Sequence, residues 1–280
     1  MKGGGAAWPW FRLPRQDGVG VTVAGRAALI EDLQARLAGD AGFAIATLNL
    51  DHVVKLRWDA AFRVAYLAQT HVVADGNPIV WLCRLSGRRV ELVPGADLVA
   101  PLVGLASGCG VGVALVGSTE ASLAAAGARL ERMQPAVRIV TRIAPPMGFD
   151  PTGREADALL DAVAASGARL VLLALGAPKQ EMLAARGLAR HPTLGFVSIG
   201  AGIDFLAGTQ RRAPSWMRGM ALEWLWRMVG NPRRFALRYA SCAAVLPRLA
   251  LRALGERFQG DGVEISDPSE KRTRSTEKSR

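Results

Sequence analysis

The chain has 280 residues, half of them apolar, which is enough to bury a core as one large domain or two smaller ones. With 35 Lys and Arg against 24 Asp and Glu the formal charge is +11, so the expected partners are anions: phosphorylated substrates, lipid headgroups or nucleic acid. Three well-separated cysteines (Cys83, Cys109, Cys242) and three scattered histidines (His52, His71, His191) exclude a disulfide framework and a Cys/His metal cluster, and suit a reducing compartment.

In chain order, residues 1–17 read as a flexible basic leader, broken by Gly3 to Gly5, Pro9 and Pro14, without the apolar core of a signal peptide. No apolar run reaches 18 residues, so any membrane contact is expected to be peripheral. From Gly18 strands alternate with helices. Val19 to Ala24 is a short strand and Ala27 to Ala38 a helix. Phe43 to Leu48 is a strand, and a helix capped by Asp51 runs to about Gln69. His71 to Ala74 is a brief strand, followed by Asp75-Gly76-Asn77-Pro78, with Asn77 as N-cap of a helix to Leu85. A further helix covers Asp97 to Ser107.

A second half opens with a strand, Val111 to Val116, ended by Gly117; Ser118 or Thr119 caps the helix to Met133. Val137 to Ile143 is a strand and Arg154 to Ser166 a helix. Leu170 to Leu175 is a continuous apolar run, the pattern of a strand buried on both faces. Gly176 ends it, Pro178 suits a first helical position, and Lys179, Gln180 and Glu181 fall on the first turn of a helix to Arg190. Free N–H groups and the helix dipole favour an anion there, and ligands of open α/β sheets bind beyond the strands' carboxyl ends. Gly195 to Ile199 is the last strand. The alternation predicts a doubly wound α/β core over residues 18–210, in halves of about 18–107 and 108–210. Residues 211–258 form a helical appendage rich in Arg and Trp, broken at Asn231-Pro232, and the polar residues 259–280 a disordered tail.

Several stretches in this order resemble the WecG/TagA/CpsF family of bacterial glycosyltransferases: Thr47-Leu48-Asn49, Ala74-Asp75-Gly76, Val93 to Leu98, Gly176 to Glu181, and Gly200 to Phe205. Arg212-Ala213-Pro214, Leu222-Glu223-Trp224 and Pro232-Arg233-Arg234 complete the set. The resemblance implies a Rossmann-like parallel-sheet fold with an appendage that helps close the site and meets the membrane. It also implies an inverting, metal-independent transfer from a UDP-sugar to an undecaprenyl-diphosphate-linked sugar, in cell-surface polysaccharide or exopolysaccharide assembly. The protein would then work in the cytoplasm, peripherally on the anionic inner face of the bacterial plasma membrane. The family's arginine two positions before Pro94 is here Leu92, with Arg88 and Arg89 as possible replacements.

Inverting transfer needs a carboxylate to take the acceptor's proton and cations to steady the leaving diphosphate. Asp75 sits at a strand end and matches the family's catalytic aspartate. Thr47 and Asn49 match positions lining its active site, and Gly76, Gly200 and Glu181 belong to the matching stretches. Gly117 permits close backbone approach beside a helix N-terminus, and Asp204 either orients substrate or caps a turn. With no D-x-D motif for a metal, the diphosphate falls to Lys179 and Gln180, and to Arg227, Arg234 and Arg238 at helical spacings of seven and four. No cofactor, metal or nucleic acid is expected.

Two rivals remain. A nicotinamide dehydrogenase would need G-x-G-x-x-G, and Val23 and Val113 stand where the third glycine belongs. A non-catalytic basic module binding membrane or nucleic acid would explain the charge, but neither Asp75 nor the 176–181 turn.

Overall fold

The computed structural model describes residues 19–258. Its core is one parallel sheet of six strands: β1 (Phe43–Leu48), β2 (His71–Ala74), β3 (Gly112–Gly117), β4 (Arg138–Ile143), β5 (Ala168–Ala174) and β6 (Gly195–Ser198). Their spatial order is β2-β1-β6-β5-β3-β4, every neighbour parallel. This bears out the Rossmann-like α/β reading. The two halves share a single sheet, because β6 lies between β1 and β5.

Helices cover both faces of the sheet, so side chains pointing either way along the inner strands are mostly apolar. On β5, Leu170 and Leu172 face one layer while Val171 and Leu173 face the other. The first layer holds α1 (Arg26–Ala38), α5 (Gly95–Gly108), α6 (Glu120–Met133) and α9 (Gly202–Ala207); the second holds α7 (Arg154–Ala165) and α8 (Lys179–Arg190). On α1 the buried stripe is Leu29, Leu33 and Leu37, a spacing of four that keeps one helical face on the core. A third cluster, beyond β1 and β2, joins α2 (Leu50–Leu56), α3 (Ala60–Leu67) and α4 (Asn77–Leu85) to the C-terminal helix.

Three local expectations need correction, and one open alternative is settled. Val19 to Ala24 is not a strand: it runs extended beside β2, where Thr22 N–H donates to Val72 O at 2.8 Å. The Val72 N–H goes to the Thr22 hydroxyl oxygen at 2.8 Å, so a side chain takes the place of a ladder carbonyl. The helix expected from Asp51 to Gln69 is two helices. Asn49, not Asp51, caps α2 by accepting from His52 N–H at 3.0 Å, and Asp59 caps α3 by accepting from Phe62 N–H at 2.8 Å. Gly76, with φ +110°, occupies the N-cap of α4, leaving Asn77 as its first residue. Of the two candidates for α6, Thr119 is the cap, accepting from Ser122 N–H.

The C-terminal region forms α10 (Ser215–Gly219), α11 (Glu223–Gly230) and α12 (Pro232–Phe258), with the expected break at Asn231-Pro232. It is not detached: α12 packs on α2 and α4 and buries Cys242, Leu249 and Ala253 in their cluster. The leader and the tail lie outside the described residues.

Candidate functional site

All six strands run the same way, so their carboxyl ends line one edge of the sheet, and most of the expected residues fall there. Register sets Leu48 beside Ala74, so the residues that follow, Asn49 and Asp75, emerge side by side. Asp75 N–H still donates to Leu48 O at 2.8 Å before the chain turns at Gly76 into α4. The positive φ of Gly76 allows that turn without a Cβ clash.

Thr47 and Asn49, two residues apart, share a face of β1 beside the Asp75 carboxyl, and both favour its ionised form. The Asn49 Oδ1 caps α2, which fixes its side chain next to the acid. Burial pushes the Asp75 pKa up to about 6; Arg227 pulls it down, Glu223 raises it, and Asn49 and Thr47 lower it. The side chain is half-buried, so it keeps an opening to solvent. A carboxyl ionising near 6 is a base at neutral pH and accepts a proton with little mismatch. Beneath it, the Tyr66 hydroxyl lies 2.7 Å from His52 Nδ1, and burial, chiefly, holds that imidazole neutral with a pKa of about 3.

Arg227, on α11, lowers the Asp75 pKa through its charge, and its Nη2 donates to Glu223 Oε1 at 2.8 Å. Arg238, on α12, pairs with Asp51 at 3.2 Å. The Arg234 side chain lies outside the described residues.

The 176–181 turn is arranged differently from the expectation. Lys179 Nζ donates to Phe149 O at 2.7 Å, tying the start of α8 to the loop before α7. Gln180 and Glu181 point inward, 2% and 0% exposed. Gln180 accepts from Gly200 N–H at 3.3 Å and donates to Glu181 Oε1 at 2.8 Å, while Glu181 Oε2 has no hydrogen-bond partner. Burial lifts Glu181 to about 7, opposed by the Gln180 bond, its own backbone N–H and Lys55. Gln180 and Gly200 thus fasten the ends of β5 and β6 together, and Glu181 presents nothing to a solvent-borne ligand.

Gly117 has φ +113°, and a Cβ there would stand 2.4 Å from Ala174 O, so its bare backbone is needed for contact with β5. At the next residue the Ser118 hydroxyl donates to Asp204 Oδ1 at 2.5 Å, and Gln210 Nε2 donates to Oδ2 at 3.0 Å. Asp204 therefore ties α9 to the end of β3. Leu92 packs into the α2/α4/α12 cluster. Arg89 lines a cleft with Arg84 and Glu91 at the start of α1, where Arg26 N–H donates to Glu91 Oε2.

Sequence reasoning missed four residues here. Lys55 pairs with Asp51 at 2.9 Å and donates to Ala177 O at 3.2 Å, binding α2 to the 176–178 turn; its i,i+4 spacing from Asp51 was the available signal. Asp97, Arg212 and Phe205 stand in the stretches quoted for the resemblance but carried no role. Arg212 makes a two-pronged pair with Asp97, and Phe205 lies beneath Arg212 and Arg227.

In an open parallel α/β sheet ligands bind at the carboxyl edge, and the raised-pKa Asp75 carboxyl stands there as a candidate acid or base. The model of the glycosyl transferase WecG/TagA/CpsF family matches residues 16–262. The chain belongs to that family, whose members are glycosyltransferases of cell-surface polysaccharide synthesis. Among the described residues no helix is long and apolar enough to cross a membrane.

Proposed function

We propose that the chain transfers a sugar from a UDP-sugar to an undecaprenyl-diphosphate-linked sugar with inversion and without a metal ion. Asp75 carboxylate takes the proton from the acceptor hydroxyl, and the hydroxyl oxygen attacks the anomeric carbon from the face opposite UDP. The bond from that carbon to the diphosphate oxygen breaks, and its electron pair leaves with UDP. Arg227, with Arg234 and Arg238 from the start of α12, steadies the leaving group. Lys179 has two further N–H donors beyond its bond to Phe149 O, so it remains available to the diphosphate. Thr47 and Asn49 orient the base.

The carrying observation is the Asp75 site: a half-buried acid at the strand edge, set beside Thr47 and Asn49 by the β1–β2 register, its pKa raised by burial and lowered by Arg227. Attachment to an anionic bilayer is supported by α11, which buries no side chain, and by the exposed Trp216, Met220 and Val229 near Arg211, Arg218 and Arg233. Each arginine near an anionic surface contributes about 1 kcal/mol, enough in sum for reversible binding.

The test measures UDP release with UDP-glucose, UDP-N-acetylmannosamine and its uronic acid, on a short-chain lipid-diphosphate sugar. Asp75→Asn is expected to lower turnover roughly 10²–10⁴-fold with UDP affinity nearly intact, and chelator to leave the wild-type rate unchanged. Near wild-type turnover of Asp75→Asn would sink the assignment. A strict requirement for magnesium or manganese would replace the cations by a metal site. Binding of vesicles with no UDP release from any donor would favour a non-catalytic module.

A further inference from the structure

Arg227 acts on Asp75 from α11, a helix with no fully buried residue that packs on α12 through Trp224 and Tyr239, with ring centroids 5.9 Å apart. The Arg227 head is in addition tied to the sheet edge by contacts among three separate parts of the chain. The Phe205 ring, on α9, lies 5.9 Å from the Arg212 guanidinium carbon and 6.0 Å from that of Arg227. Arg212 in turn donates through Nη2 to Asp97 Oδ2 at 2.9 Å and through Nη1 to Asp97 Oδ1, in the first turn of α5. Beside these residues in sequence, Trp226 Nε1 donates to Arg211 O at 3.2 Å. A planar guanidinium held by both prongs cannot swing, and an aromatic face attracts a cation without neutralising it.

We infer that Asp97, Arg212 and Phe205 are positioning residues that register Arg227 on Asp75. Asp97 fixes the Arg212 fork, Arg212 and Phe205 anchor the segment entering the appendage to the sheet edge, and the Phe205 ring carries Arg227. Asp97 sits in the motif that begins at Val93 and Phe205 in the one that begins at Gly200, so two core motifs converge on one appendage arginine. Without them the Arg227 head is left to its pair with Glu223 on its own helix. The inference rests on the roles given above to Asp75 and Arg227.

The test is a double-mutant cycle in the full chain, read as kcat, donor KM and the pH midpoint of the acid limb of kcat/KM. The groups that set that midpoint at Asp75 are Arg227 and Glu223 from α11, Arg212, and Tyr66 from α3, with neutral Asn49 and Thr47. Phe205→Leu and Asp97→Asn are each expected to lower kcat roughly 10- to 10²-fold, as a misplaced catalytic group does, with donor KM within about threefold. Both should move the midpoint upward, towards that of Arg227→Ala, because the cation that favours ionised Asp75 is withdrawn. Phe205→Tyr, which keeps the ring, should restore rate and midpoint. In an Arg227→Ala background, Phe205→Leu should cost less than about twofold more. Equal losses in both backgrounds, an unmoved midpoint, or unfolding of both single variants would make these residues general supports of the fold and overturn the inference. Wild-type rates in Arg227→Ala itself would instead overturn the role of Arg227, a separate failure.

Discussion

Two strand-to-helix turns open on the same edge of the sheet, one after β2 and one after β5, and they dispose of their acids in opposite ways. Both acids are lifted by burial, Asp75 to about 6 and Glu181 to about 7. Asp75 is the first residue past its strand, keeps an opening to solvent, and has its pKa lowered by a cation from outside the core. Glu181 is the third residue of its helix, on the stripe Gln180, Glu181, Leu183, Ala184 and Gly187 that α8 buries. A carboxyl at a strand end can reach a ligand, whereas one on the buried stripe of the following helix faces the layer beneath. Position at the carboxyl edge is therefore not sufficient for a substrate contact.

The sharpest way to break this comparison is to remove the external cation from the first turn. Arg227→Ala should lower transfer roughly 10²–10³-fold, the usual cost of one group aimed at developing charge. It should also raise the pH at which kcat/KM reaches half its plateau, since Arg227 holds Asp75 below the value that burial alone would set. The measurement is a pH–rate profile from pH 5 to 9 beside wild type. A variant with a normal rate and normal profile would place Asp75 and Arg227 in no common reaction.

How much of this was legible in the sequence follows from the range of the forces involved. The strand–helix alternation was clear because apolar runs such as Leu170 to Leu175 report burial residue by residue. Asp75, Thr47 and Asn49 were legible because motif and strand end coincide. The strand order was not, since nothing local tells β6 to enter between β1 and β5. The start of the helix after β1 was misplaced because Asn49 and Asp51 are both good caps, and its split was missed because Asp59, which caps α3 by accepting from Phe62 N–H, was not read as a cap. The inward turn of Gln180 and Glu181 was in fact written in the spacing of their stripe, but an expected anion site outweighed it. Arg212 and Asp97 are 115 positions apart, and a pairing at that distance leaves no trace in one sequence.

The second turn yields a stability effect of opposite character. Glu181 has a folded pKa near 7 against an ordinary 4.5, so the folded state binds more protons between those values. Stability is then lost as pH rises from about 4.5 through about 7, and the loss is complete above it. Glu181→Gln removes the titration, so its melting temperature relative to wild type should be higher at pH 8 than at pH 4.5. Asp75 contributes a loss of the same sign between about 3.8 and about 6, which both proteins share and which cancels in the comparison. An identical shift at the two pH values would mean that Glu181 titrates normally and is not the shut-in acid described here.

The smallest effect is expected at Lys179, the one polar side chain of the second turn that is not shut in. Its Nζ holds Phe149 O at 2.7 Å, and Phe149 is itself buried against the α7 and α8 layer. Lys179→Ala should cost about 1 kcal/mol of stability through the lost bond. If the ammonium also meets the donor diphosphate through its remaining N–H groups, it contributes equally to ground and transition states. Donor KM should then rise a few-fold with kcat nearly unchanged, the pattern of uniform binding. Thermal unfolding and steady-state kinetics on one preparation separate the two contributions: a stability loss with unaltered KM leaves Lys179 as a strap for the 149 loop. A fall in kcat as large as that of Arg227→Ala would erase the contrast between the turns, because the second would then act on the reacting atoms as directly as the first.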